Sequence, residues 1–228
     1  MLVLISAGIA PGLALLSYFY LKDEFEMEPI STVIKAFLYG AVLVFPIMFV
    51  QYVFEAEQAI PYVWMKAIVF AGLLEEFMKW FMLYFAIYQH VDFTEPYDGI
   101  VYGISVSLGF ATAENILFLL ANGIEFAFGR ALLPVSSHAM FGIIMGYYLG
   151  KGKFSNGRKA WWLLLSIVIP FILHSFYDLI LLTQTKWLFY IVPFMLFLWW
   201  LGLRKAKLAH HLSAKHYLEQ TNDPSLRF

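Results

Sequence analysis

The chain has 228 residues, 61% of them hydrophobic and 14% charged, and a formal net charge of −1. Soluble domains lie nearer ~50% and ~25% for those two classes, so this composition indicates an all-α membrane protein, and its balanced charge offers no basic field for nucleic acid. Cysteine is absent, which excludes disulfides, thiol nucleophiles and thiolate metal sites and leaves chemistry to carboxylate, imidazole, hydroxyl, amine and backbone groups.

Seven apolar stretches are long enough to cross a ~30 Å hydrocarbon core as helices of about 20 residues. They cover approximately 2–21, 33–54, 62–88, 98–120, 131–150, 161–182 and 187–203. The predicted architecture is a polytopic bundle of about seven transmembrane helices over residues 1–203, followed by a polar cytoplasmic tail, 204–228. No Lys or Arg precedes the first stretch and no clear cleavage site ends it, so it is read as an uncleaved span. Lys151, Lys153, Arg158 and Lys159 in one connection, and Arg204, Lys205 and Lys207 after the last span, place both segments in the cytoplasm by the positive-inside rule. Counting back through seven spans puts the N-terminus outside.

The third span contains Leu73-Leu74-Glu75-Glu76-Phe77-Met78-Lys79, three charges inside an apolar run. An ionisable group at bilayer depth costs at least ~2.5 kcal/mol on insertion scales, so such a cluster marks a site facing a polar cavity. Helical spacing brings Lys79 against Glu75 (i, i+4) and Glu76 (i, i+3). A structural ion pair needs only one acid; the second argues for function.

In the fourth span Gly99, Gly103, Ser107 and Ala111 form a small-residue ridge that admits a close helix neighbour. Glu114 and Asn115 follow it and require partners or water. His138 in the fifth span heads a stripe of Gly142, Gly146 and Gly150. The sixth span carries Pro170, His174, Tyr177 and Asp178; Pro170 predicts a kink, and Asp178, one turn from His174, is expected to hold the imidazole's tautomer. The seventh span is rich in Trp and Phe and reads as scaffold. At ~1.5 Å per residue, Glu75, Glu114, His138 and His174 fall roughly 9–20 Å from the outer ends of their spans, in the middle to outer half of the bilayer. Buried Glu, Lys and His also build proton relays, so a proton- or ion-coupled transporter is the rival reading, although neither an inverted repeat nor discontinuous helices are evident.

Glu75-Glu76-x-x-Lys79, Phe110-x-x-x-Glu114, His138 with Gly142, and His174-x-x-x-Asp178, each on its own span, resemble the PrsW-type intramembrane proteases of bacteria. These are similar in turn to the prenyl-protein (CAAX) endopeptidases, where Arg is usual in place of Lys79 and His in place of Glu114. The resemblance implies a protease of the bacterial cell membrane that cuts a single-span anti-sigma factor on its extracytoplasmic side. That would be the first cut of a cascade freeing an alternative sigma factor in envelope stress. Peptide hydrolysis then assigns Glu75 or Glu76 as general base, with His174 activating the same water or stabilising the oxyanion. Lys79, Glu114, Asn115, His138 and Asp178 support them. A metal-assisted version, with Zn²⁺ held by ligands drawn from Glu75, Glu76, Glu114, His138 and His174, uses the same groups. Membrane lipid and the single-span substrate are the implied partners.

Overall fold

The computed structural model describes residues 1–23, 25–155 and 157–222. The described residues form seven helical runs and no strand, as expected of a chain whose backbone polar groups must be satisfied without water. We label them α1 (Leu2–Tyr20), α2 (Ile30–Ala56), α3 (63–87), α4 (Asp98–Asn122), α5 (Ile124–Lys153), α6 (Lys159–Thr183) and α7 (Trp187–Asn222). All but α3 are uninterrupted enough, long enough and apolar enough to cross a membrane by length and composition.

α3 differs because two π-helical segments, Ala67–Glu75 and Leu83–Ile87, flank the α-helical turns Glu76–Met82. The wider turn ends at Glu75, so the two adjacent acids straddle a change of helical pitch, a feature that frequently accompanies functional sites. α5 starts earlier than the expected position 131, immediately after Gly123, whose φ of 110° only glycine adopts comfortably. It passes through a 3₁₀ turn and, around Pro134, a π turn before becoming regular at Ser136. Proline lacks an N–H, and the looser turn accommodates that loss. Pro170 lies inside the continuous α6.

α4 and α5 are the interior of the bundle: 78% of the most apolar window of α5 is buried, against 17% for α1. α4 packs on α1, α2 and α5; α5 also receives α6 and α7; α3 is seated against α6. Small residues set these distances. A Cβ on Gly103 would strike the Gly142 carbonyl oxygen and one on Gly146 the Gly99 carbonyl oxygen, so the two glycine stripes face each other. Gly40 meets Val106 in the same way, and Gly109 meets Phe37, which brings α2 onto α4. The lipid-facing surface is apolar, with Phe49, Phe85, Phe128, Phe189 and Leu196 all strongly exposed. α7 continues past residue 203 without a break to Asn222, because Ala206, Ala209 and Ser213 are buried and Ser213 accepts a hydrogen bond from the Tyr97 amide at 3.0 Å. The end of the tail, 223–228, lies outside the described residues.

Candidate active site

Four helices deliver the site. Glu75 and Glu76 come from α3, Glu114 from α4, His138 from the first regular turn of α5, and His174 from α6 one turn after Pro170. Glu76 and Lys79 are fully buried, and Glu75, His138 and His174 nearly so. Glu114 is half-exposed at the rim.

Lys79 is the hub. Its ammonium donates to Glu76 Oε1 at 2.8 Å, to His138 Nδ1 at 3.1 Å and to Glu75 Oε2 at 3.3 Å, with the Phe110 ring 4.2 Å away. An ammonium has three protons and no lone pair, so all its donors are committed. His138 Nδ1 must therefore accept, and its Nε2 carries the proton facing Glu114 Oε2 at 3.3 Å. His174 is oriented the opposite way. Its Nδ1 lies 2.9 Å from Glu76 Oε1, an acceptor, so Nδ1 carries the proton and the Nε2 lone pair is left for a further partner. The two imidazoles stand 5.0 Å apart and perpendicular, and Phe141 stacks on His174 at 4.7 Å.

Two expected supports take other positions. His174 Nδ1 meets Glu76, not Asp178: the i, i+4 spacing puts Asp178 on the right face, but the ring leans toward α3. Asn115 is buried away from the cluster, donating to the Gly8 carbonyl at 3.1 Å and accepting from Arg130 Nε at 2.9 Å. Arg130, which the sequence did not single out, lies 3.4 Å from Glu114 Oε1. Its signal was present: it is the one Lys or Arg between Lys79 and Lys151. Phe141 carried no comparable signal.

The donor set suits a metal ion. Glu75, Glu76, His138 and His174 each offer an oxygen or nitrogen within 4.8 Å of the others, a mixture of carboxylate and imidazole that Zn²⁺ accepts. Glu76 Oε2 is buried with no hydrogen-bond partner among the described residues. Around it, Lys79 pairs with both Glu75 and Glu76, and Arg130 with Glu114.

Residues 28–201 match the sequence model described as "PrsW family intramembrane metalloprotease". Protease PrsW of Geobacillus kaustophilus is 59% identical, covering 92% of this chain and 93% of its own length. Protease PrsW of Bacillus subtilis is 56% identical (93% and 98%), and that of Clostridioides difficile 34% (81% and 82%). No solved structure matches the chain. The transporter reading finds no support in these relatives, all of which are named as proteases.

Proposed function

This chain belongs to the PrsW family of intramembrane metalloproteases and is a membrane-embedded peptide-bond hydrolase, and from that premise we propose that it makes the first, extracytoplasmic cut in a single-span anti-sigma factor. That cut starts the release of an alternative sigma factor in envelope stress. The family resemblance supports this substrate. For the chemistry, the carrying observation is the hydrogen bond between Glu76 and His174, which turns the imidazole's free lone pair to the side away from Glu76.

Glu75, whose side chain retains 11% exposure while Glu76 retains none, is the general base. It takes a proton from the attacking water, and His174 Nε2 accepts from the same water and aims it. The water oxygen adds to the scissile carbonyl carbon, and Glu75 then returns the proton to the departing amine as the C–N bond breaks. Lys79 and Glu76 position these groups without touching substrate. His138 and Glu114 complete the wall, with Arg130 behind Glu114. When bound, a divalent ion such as Zn²⁺ would be held by Glu75, Glu76 and His174 Nε2, with His138 joining them only where its Nδ1 gives up the Lys79 ammonium, and would supply Lewis-acid activation of the water. An apolar groove between α2 and α3, lined by Val50, Phe54, Phe70, Leu73, Leu74 and Phe77, occupies the stretch of α3 that precedes and follows Glu75 in sequence and suits a substrate segment arriving from the lipid.

The orientation follows from Lys151, Lys153, Arg158, Lys159, Arg204, Lys205 and Lys207, which hold their segments in the cytoplasm of a bacterial cell and the N-terminus outside. The test is co-reconstitution of the purified protein with a single-span anti-sigma factor. Wild type cleaves it outside the membrane, whereas Glu75→Gln and His174→Gln lose ~10²–10⁴-fold in rate while remaining folded. Cleavage by Glu75→Gln at the wild-type rate would overturn the assignment of the base. Loss of cleavage on chelation, restored by Zn²⁺, identifies the metal.

A further inference from the structure

A second group of acids lies where the α1–α2 connection, the α3–α4 connection and the first turn of α4 meet. Asp23, Glu28, Glu95 and Asp98 are all buried, with residue exposures of 7%, 3%, 5% and 0%. Each has at least one buried carboxylate oxygen without a hydrogen-bond partner among the described residues: both oxygens of Asp23, Oε1 of Glu28, Oε1 of Glu95 and Oδ1 of Asp98. The remaining bonds hold Asp98 and Glu28 in place. Asp98 Oδ2 accepts from the Thr94 and Glu95 amides at 2.6 and 2.8 Å, and Glu28 Oε2 accepts from the Tyr102 hydroxyl. No cation pairs with any of the four among the described residues. Lys153, whose charge reaches Glu28 and Asp98, donates to the Tyr88 carbonyl at 2.8 Å and lies over the Phe93 ring.

One oxygen each from Asp23, Glu95 and Asp98 lies within 4.8 Å of the others. Ligand oxygens on one Ca²⁺ ion stand at most ~4.6–5.2 Å apart, twice its ~2.3–2.6 Å bond length, so the three are close enough together to share one ion. The ligands are all oxygen, which suits hard cations and not Zn²⁺. From this geometry we infer that Asp23, Glu95 and Asp98, with Glu28 beside them, form a binding site for a hard divalent cation, Ca²⁺ or Mg²⁺, separate from the intramembrane cluster. The ion joins the α1–α2 connection to the start of α4. Without it the acids turn to protons: burial, with help from the Asp98 charge, pushes Asp23 up to about 6 and Glu95 up to about 8.

The test uses the full chain in detergent, stripped with chelator and exchanged into chelator-free buffer, and carrying Glu76→Gln and His174→Gln so that two of the four intramembrane donors are removed whether or not the protease mechanism above is right. Ca²⁺ or Mg²⁺ alone is titrated while thermal unfolding is followed. The site predicts a saturable rise in midpoint, roughly 5–10 °C at a hundredfold excess over Kd, abolished by adding Asp23→Asn and Glu95→Gln. These changes keep side-chain size and remove crowded charge, so folding is retained. Tb³⁺ luminescence, sensitised by nearby Tyr102, disappears in the same variants and is displaced by Ca²⁺. A rise that persists in the Asp23→Asn, Glu95→Gln protein, or no rise together with stabilisation by acid alone, overturns the inference and leaves a proton-sharing acid cluster.

Discussion

Replacing Lys79 by Met keeps most of the side-chain volume and removes the ammonium on which the intramembrane cluster is centred. Glu76, with no exposed side-chain surface, loses its 2.8 Å partner, Glu75 its 3.3 Å partner and His138 Nδ1 its donor. Breaking a buried ion pair from one side costs ~3–5 kcal/mol because the other charge remains. Glu76 keeps its bond to His174, so we place the loss near ~4 kcal/mol. For a chain of this size that lowers the thermal midpoint by roughly 8–16 °C. The assay is thermal unfolding in detergent of wild type, Lys79→Met, Glu76→Gln and the double variant. If the penalty is the stranded Glu76 charge, the double variant is more stable than the sum of the singles allows, by ~1–3 kcal/mol. A Lys79→Met midpoint within ~2 °C of wild type, or a cycle additive to ~0.5 kcal/mol, would refute the account of Lys79 as the compensating charge.

Gly146→Ala places a methyl on the Gly99 carbonyl oxygen, and since backbone cannot swing aside, α4 and α5 must part; the expected loss is ~1–3 kcal/mol, read by thermal unfolding, with falling proteolysis. Arg130→Met frees Glu114 at the rim and strands the buried Asn115 Oδ1, so proteolysis falls roughly ten- to a hundredfold while stability drops by ~1–3 kcal/mol; a much larger loss of stability would show that the residue serves the fold. The buried acids Asp23 and Glu95 give a pH signature in cation-free buffer. Their folded-state pKa values, about 6 and about 8, lie above the ordinary 3.8 and 4.5, so as pH rises the unfolded chain releases these protons first and stability falls through that window. The midpoint should therefore drop between about pH 4 and about pH 8, and Asp23→Asn with Glu95→Gln should flatten the curve.

The helices were legible because a bilayer demands long apolar runs, and Glu75, Glu76, Glu114, His138 and His174 stood out because charge inside such runs is expensive. What the sequence concealed depends on the third dimension. Nothing in Ala67–Glu75 announces a π-helical turn, since that choice is made by packing on α6, where a Cβ at Gly72 would meet Ser175. The early start of α5 was hidden because its first residues, Ile124 to Arg130, mix polar and apolar side chains without a clear period. Asp178 was named as the partner of His174 because spacing along one helix is visible, whereas the contact with Glu76 runs between helices and is not. The acids near 23, 28, 95 and 98 sat in connections, where carboxylates are normally solvated, and only the folded chain brings them together under cover.

The glycine stripes and the polar cluster are parts of one device. Gly99 and Gly103 lie against Gly146 and Gly142, and the same two helices then carry Glu114 and His138 further along. Backbone contact at the glycines fixes the distance between α4 and α5, and that distance lets Glu114 and His138 stand 3.3 Å apart. Spreading the helices by the width of one methyl group, ~1–2 Å, would carry this pair past hydrogen-bond reach and draw His138 away from Lys79. The site's geometry is therefore set by residues that have no chemistry of their own, and a small side chain there is as necessary to the cluster as the carboxylates are.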